Sequence, residues 1–295
     1  MSCILNSVPK FSTITSTERT LMNSITKRII LVLVFILCGA ILRGWFMKAT
    51  HLTLEDALIS FRYAEHIADG KGFVYNENER VLGTTTPLWT LLLSAVKISG
   101  ASDLITASAI ISIVLDAMTI FLILTLLCTL ANEFTALIGV VLFISSPDII
   151  PLSVSGMETS LLLFSMALTI YGYVNKNYCF AVGLALTVLT RLDGLLFAGI
   201  LSLYSLVSDR RWTAKQLTIA SSMMLPWLLF SFFYFGDVIP QSIHAKFATY
   251  HLGISTSSAP FLRQFTPFLE EHVWKSIRAN TWVDTTETHW AKQWV

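Results

Sequence analysis

Long apolar segments separated by short polar ones are the main pattern along the chain. A helix needs about 20 largely apolar residues to cross a ~30 Å hydrocarbon layer at 1.5 Å per residue. Pro87–Ile98 is apolar but too short for this, which favours a juxtamembrane or re-entrant helix. The predicted spans are Ile29–Met47, Leu104–Leu130, Phe134–Ile150, Glu158–Val174, Cys179–Thr190, Leu195–Val207 and Thr218–Phe235.

The first apolar run is better explained as an uncleaved anchor than as a signal peptide. It follows the basic residues Lys27 and Arg28, and it continues into RGWFMK rather than into a small-x-small cleavage site. Arg43 and Trp45 are placed so that we expect both side chains at the far membrane interface. The sequence therefore predicts an all-α, multi-pass membrane helical bundle.

The basic residues give the spans an orientation. The segment DRRWTAK, Asp209–Lys215, is the strongest basic short loop between spans, so the positive-inside rule places it in the cytoplasm. Counting back from it places the N-terminus in the cytoplasm and a first loop, residues 48–103, outside. This alternation of inside and outside loops holds only if Pro87–Ile98 does not cross the membrane, which agrees with its length.

Composition supports the membrane assignment and excludes several other classes. The chain is 54% hydrophobic and 13% charged, whereas an ordinary soluble domain has about 25% charged residues. Twenty Lys and Arg against nineteen Asp and Glu indicate no nucleic-acid-binding surface. The four cysteines lack metal spacing. Nucleotide-dependent transport and serine hydrolysis lose support because the chain has no P-loop, GxGxxG or GxSxG motif.

Most of the chemically capable side chains fall on the predicted outside face. Thr50 or Thr53 can cap an amphipathic helix whose first turn holds Glu55 and Asp56, and Gly70 ends it. These acids either compensate the helix dipole or face a cleft where one takes a proton from an acceptor hydroxyl.

Three later segments leave comparable alternatives. Glu158 is either a helix cap or a functional acid at membrane depth. Arg191 either pairs with Asp193 to pin a helix hairpin or binds phosphate. His244 and Lys246 either snorkel at the interface or hold a lipid phosphate.

Asp116 does not fit this outer face. It lies within the Leu104–Leu130 span, and the sequence offers no obvious partner. Packing through a serine or a neighbouring backbone group is favoured over chemistry. An ion or lipid-headgroup path through Asp116 and the outer acids, as in a transporter or flippase, is the alternative.

Several segments, taken in order, carry a family resemblance. The chain resembles bacterial polytopic glycosyltransferases of the GT-C superfold, especially the arabinofuranosyltransferase-like and dolichyl-phosphate-mannose-transferase-like membrane proteins. The matching segments are Glu55–Ala64, Ala68–Asn76, Glu79–Trp89, Ser155–Thr159, Thr190–Gly194, Gly236–Ser242 and Ala245–Lys246.

The resemblance implies an architecture and a location. It implies a GT-C-like transmembrane domain, 29–250, after a cytoplasmic tail, 1–28, and before a short C-terminal tail, 251–295, with an amphipathic helix. The first loop would contain juxtamembrane helices on the extracytoplasmic face. The location implied is a bacterial inner membrane.

The resemblance also implies a reaction and its residues. A monosaccharide would pass from a polyprenyl-phosphate donor to a cell-envelope glycan or lipid acceptor. Asp56, or Glu55, would act as the base and Glu158 would assist, while Arg62, Arg191, His244 and Lys246 would bind the donor phosphate. Leu82 stands where the family often has Glu, which removes an additional acid or metal ligand. No cofactor is certain, and a divalent metal stays an open alternative.

The chain is short for this family, whose members often have further spans. The alternatives are a natural short form, a truncated product, or one part of a split protein with a second subunit supplying the missing spans. A non-catalytic lipid-binding partner of a complete transferase is therefore also considered.

Overall fold

The computed structural model describes residues 16–77 and 79–241, and side chains for Ile30 and from Val32 onward. All regular structure in these residues is helical, which confirms the prediction of an all-α membrane bundle. The predicted C-terminal helix and the side chains of His244 and Lys246 lie outside the described residues. The helices are α1 (Ser16–Thr50), α2 (Glu55–Ala68), α3 (Pro87–Ile98), α4 (Leu104–Leu130), α5 (Glu133–Ser145), α6 (Ile149–Val154), α7 (Thr159–Val174), α8 (Cys179–Thr190), α9 (Gly194–Ser208) and α10 (Arg210–Phe235).

Helix length separates the predicted spans into two groups. Among the described residues, three helices are long and apolar enough to cross a membrane: Val32–Thr50 within α1, α4 and α10. The remaining predicted spans are shorter apolar helices, of which α7 is the longest with 16 residues. That is about 24 Å, less than the ~30 Å hydrocarbon layer.

The predicted span Phe134–Ile150 is wrong as a continuous helix. It breaks into α5 and α6 at Ser146, whose backbone is extended, with φ −61° and ψ 120°. The cause is Pro147, because the proline ring disfavours helical conformation in the residue before it.

Short polar side chains set where several helices begin. Asp103 accepts hydrogen bonds from the backbone N–H of Ile105 and Thr106, each at 3.0 Å, and so caps α4. Asp209 accepts from the N–H of Trp212 at 3.2 Å, which extends α10 earlier than the predicted start at Thr218. Each cap satisfies N–H groups that the helix itself leaves unpaired.

The first-loop segment, residues 51–103, packs onto the bundle rather than standing apart from it. Ala57 and Phe61 of α2 and Trp89 and Leu93 of α3 form one buried cluster with Leu161 of α7. α7 and α8 pack closely as a hairpin. A Cβ added at Gly183 would lie 2.5 Å from the backbone nitrogen of Thr169, which shows how near the two helices are. A small residue at this position allows the two helices to approach closely.

A buried ion pair joins three helices inside the bundle. Arg43 of α1 and Asp116 of α4 are 0% and 1% exposed, and the Arg43 Nε donates to the Asp116 Oδ2. The hydroxyl of Ser153 in α6 donates to the same oxygen at 2.6 Å. The expected interface position of Arg43 is therefore wrong, while the expected serine contact of Asp116 is confirmed. Arg43 turns inward because a carboxylate at this depth needs a cation.

Two contacts bring the α7–α8 turn and the start of α10 together. The Lys176 Nζ lies 4.3 Å from the centroid of the Trp212 ring, and the Lys215 Nζ donates to the Tyr178 hydroxyl at 3.3 Å. The α7–α8 turn and the start of α10 therefore share one end, as the sequence parity requires. We call it the basic end, and the end that carries residues 51–103 the first-loop end.

Removing one partner of the buried ion pair should destabilise the protein strongly. Asp116→Ala leaves the Arg43 guanidinium buried without a counter-charge, at an expected cost of about 3–5 kcal/mol in the free energy of unfolding. The double variant Arg43→Met/Asp116→Leu should recover most of that loss. Chemical denaturation in mixed micelles measures both.

Asp148, an exposed acid just before α6, provides the matched control. Asp148→Asn should change the free energy of unfolding by no more than about 0.5 kcal/mol. A loss in Asp116→Ala no larger than the loss in Asp148→Asn would contradict a structural role for the pair.

Candidate active site

The turn Ser155–Glu158 is fixed against the first-loop segment by two hydrogen bonds that its backbone carbonyl groups accept. The carbonyl of Ser155 accepts from the N–H of Leu54 at 3.1 Å, and the carbonyl of Gly156 accepts from the Trp89 indole at 2.9 Å. Gly156 has φ +87°, and a Cβ there would lie 2.8 Å from the Phe61 ring. Glycine is required both for the conformation and for the close approach.

Glu158 follows this turn and is bound by Arg191. The Arg191 Nη1 lies 2.9 Å from the Glu158 Oε1, and the Arg191 Nη2 lies 2.9 Å from the Asp193 Oδ2. The Glu158 side chain is 3% exposed, whereas that of Asp193 is 64% exposed. Arg191 therefore bridges a buried and an exposed carboxylate. The pairing with Asp193 that was considered at the sequence level is present, and it extends to Glu158.

Glu158 is the N-cap residue of α7, and its backbone carbonyl accepts from the N–H of Leu162 at 3.0 Å. Its side chain makes no capping hydrogen bond. Burial raises the pKa of Glu158, and Arg191 partly opposes that rise. The hydrogen bond with Asp193 is the largest cause of the raised pKa of Arg191, so the guanidinium stays charged. The pair thus combines a carboxyl that holds its proton unusually well with a permanent, half-buried cation.

Glu55 and Asp56 occupy the first turn of α2, next to the Ser155–Glu158 turn. Both side chains are exposed, and within residues 16–77 and 79–241 neither forms an ion pair or a side-chain hydrogen bond. The predicted threonine cap of α2 is wrong, since the N-cap residue is Leu54. The N–H of Leu54 is the group that binds the carbonyl of Ser155, so this contact places the two acids that follow Leu54 beside the Glu158 turn.

The other predicted phosphate ligands do not join this group in the described structure. Arg62 is exposed on α2, and its Nε donates to the carbonyl of Tyr75 at 3.4 Å. His244 and Lys246 lie outside the described residues. No group of three or more His, Cys, Asp or Glu side chains suited to a metal ion occurs in the described part of the chain.

A small apolar cleft lies beside Arg191. Its volume is about 160 Å³, and its walls include Leu192, Thr85, Trp227 and Pro240. It separates the end of α8 from α10 and from the segment before α3. The sequence analysis did not assign Trp227 to the site, and only its position about two turns from the first-loop end of α10 could have indicated it.

Tyr63 is a second residue that the sequence analysis missed. Its buried hydroxyl donates to the carbonyl of Val81 at 2.7 Å and accepts from the N–H of Gly83 at 2.9 Å. A Cβ at Gly83 would lie 2.9 Å from that hydroxyl. Tyr63 therefore ties α2 to the segment that leads to α3.

The comparisons with known proteins give one distant relative. The chain is 25% identical over 230 residues to the terminal β-(1→2)-arabinofuranosyltransferase of Mycobacterium tuberculosis, covering 70% of this chain and 37% of that protein. It thus spans little more than a third of that relative's length. No family model matches the chain, and no solved structure matches it significantly. The similarity supports the GT-C resemblance only at the level of a glycosyltransferase-like protein.

The raised pKa of Glu158 predicts a pH dependence of stability. Folded Glu158 binds its proton more tightly than unfolded Glu158, so wild-type stability should fall relative to Glu158→Gln as pH rises above the ordinary value of 4.5. Arg191→Met should enlarge this fall, measured against Arg191→Met/Glu158→Gln, because the opposing cation is gone. Thermal unfolding midpoints in detergent across this range give the curves. Parallel curves for wild type and Glu158→Gln would contradict the burial effect.

Proposed function

We propose that the chain is a membrane glycosyltransferase that moves a monosaccharide from a polyprenyl-phosphate donor to a cell-envelope glycan or lipid. The observation that carries the proposal is the Glu158–Arg191 pair. Glu158 lies on a fixed turn beside Glu55 and Asp56, acids that have no partner among the described residues. Similarity to a mycobacterial arabinofuranosyltransferase supports the reaction class. We place the site on the extracytoplasmic face of a bacterial inner membrane, with the N-terminus in the cytoplasm.

The proposed chemistry is a single displacement. The acceptor hydroxyl attacks the anomeric carbon of the donor sugar, and its proton passes to the carboxylate of Asp56, or of Glu55. The bond between that carbon and the phosphate oxygen breaks, and the lipid phosphate leaves with the electron pair. Because phosphate is already a competent leaving group, the protein mainly positions the reactants and neutralises the charge on the departing phosphate.

Arg191 is suited to the second task. Its hydrogen bonds to Glu158 and Asp193 use three of its N–H directions, and a guanidinium has five. The remaining donors are available to phosphate oxygens, and the apolar cleft beside Leu192 offers a surface for the adjoining lipid chain. Arg62, His244 and Lys246 remain proposed phosphate ligands on the strength of the sequence resemblance. A divalent metal would supply further charge neutralisation.

Two other functions are alternatives to a glycosyltransferase. Transport or flipping relied on a free carboxylate at Asp116, but that carboxylate binds Arg43. The second alternative is a non-catalytic, lipid-binding partner of a complete transferase. In that case a second subunit would supply further spans, and the purified chain alone would bind lipid without transferring sugar.

Replacing the proposed base should slow transfer without unfolding the protein. Asp56→Asn keeps the size of the side chain but cannot accept the proton, so we expect kcat to fall by roughly 10²–10⁴. The assay uses purified protein in nanodiscs, with polyprenyl-phosphate sugars and oligosaccharide acceptors. Glu55→Gln tests the neighbouring acid in the same way.

The control is Asp69, an exposed acid at the other end of α2 that pairs with Lys71 at 3.6 Å. Asp69→Asn should transfer sugar at the wild-type rate. If wild type transfers sugar and Asp56→Asn transfers it equally well, Asp56 is not the base.

A further inference from the structure

An open cleft of about 270 Å³ lies at the first-loop end, separate from the Glu158–Arg191 pair. The aromatic and polar residues that line it are Tyr63, Tyr75, Asn76 and Glu79. We call it the tyrosine cleft. Its volume is slightly below the ~300 Å³ at which small-molecule sites begin, a size that suits a single sugar unit of a longer chain.

The wall of the tyrosine cleft combines an aromatic face with paired polar groups. Tyr75 is 42% exposed, and the centroid of its ring lies 5.8 Å from that of the Tyr63 ring. The Asn76 Nδ2 donates to the Glu79 Oε2 at 3.0 Å, and both side chains are exposed. A sugar ring presents C–H groups on its faces and hydroxyls on its rim. An aromatic ring covers the first, and an amide beside a carboxylate offers donors and acceptors to the second.

The cleft is held open by contacts that need no ligand. Tyr63 is fully buried and fixes the backbone of Val81 and Gly83 through its hydroxyl. The Arg62 Nε donates to the carbonyl of Tyr75 at 3.4 Å and so anchors the residue that carries the exposed ring. A site whose walls are already ordered loses less entropy when a ligand binds.

Position along α2 relates the cleft to the proposed base. Ile59, which lines the cleft, follows Asp56 by three residues and Glu55 by four, so all three lie on one face of the helix. The cleft therefore begins about one helical turn, 5.4 Å, from the acids. A glycan can therefore place one sugar unit in the cleft while its terminal hydroxyl approaches Asp56.

We propose that the tyrosine cleft binds a neutral sugar unit of the acceptor glycan. The inference rests on the proposed transferase function. The sugar of the donor has the same C–H and hydroxyl groups and is the other candidate occupant of the cleft, but charge argues against it. Among the described residues, the lining of the cleft includes the carboxylate of Glu79 and no Lys or Arg, whereas a donor carries a phosphate. Arg62, a proposed phosphate ligand, contacts the backbone carbonyl of Tyr75 but lines a different cleft with Phe61 and Glu65. The cation that pairs with Glu158 lies elsewhere, at the end of α8.

Direct binding tests the subsite without requiring catalysis. Wild-type protein in nanodiscs is titrated with linear arabinofuranose and mannose oligosaccharides, followed by saturation-transfer NMR. Tyr75→Ala should raise Kd for the bound oligosaccharide about tenfold, and Asn76→Ala and Glu79→Gln should raise it by several-fold. Tyr75→Phe should bind like wild type, because it keeps the ring. In transfer assays, Tyr75→Ala should raise KM for the acceptor and leave KM for the polyprenyl-phosphate sugar unchanged.

Tyr178 is the matched control, an exposed tyrosine at the basic end, 58% exposed and in contact with Lys215. Tyr178→Ala should bind oligosaccharide like wild type. Asp56→Asn should also bind normally, so oligosaccharide binding in a chain without transferase activity would support the subsite while contradicting the catalytic proposal. The subsite is overturned if wild type binds no oligosaccharide of the panel, if Tyr75→Ala binds as tightly as Tyr178→Ala, or if Tyr75→Ala raises KM for the donor instead.

Discussion

The ion pair between Arg43 and Asp116 is the constraint from which the candidate site inherits its geometry. Charges buried at this depth are tolerated only when paired, so α1 and α4 are bound to one register. Ser153 adds α6 to the pair, and α6 leads directly into the turn Ser155–Glu158. From that turn the contacts continue to Leu54 at the start of α2. The position of the proposed base is thus connected, bond by bond, to a charge inside the bundle.

The helical content and order of the chain were predictable because apolar run length and short polar caps carry local signals. α3 and α4 have the predicted bounds, Pro87–Ile98 and Leu104–Leu130. The Arg43–Asp116 contact was not predictable, since the partners are 73 positions apart and an arginine near a span end usually marks an interface. Pro147 could have predicted the break between α5 and α6. The prediction missed the break because it followed the continuous apolar run from Phe134 to Ile150.

The acids of the site were found easily because charge is scarce in the chain. Parity also placed Glu158 and Arg191 at the same end, and the structure joins them. Sequence could not show that Arg191 bridges Glu158 and Asp193, because that depends on how closely α7 and α8 approach. The role of Tyr63 was hidden for a similar reason, since an aromatic residue on an amphipathic helix most often indicates packing.

The different surroundings of the two acids argue for a division of roles. Asp56 is exposed and unpartnered in the described structure, so a hydroxyl arriving from water can reach it. Glu158 is 3% exposed and its carboxyl group is engaged by Arg191, so a hydroxyl arriving from water cannot reach it as it reaches Asp56. Its value lies in holding the guanidinium, because an arginine that is already oriented loses less freedom on binding phosphate. We infer that Glu158 assists the proposed transfer by positioning Arg191, the residue that follows α8.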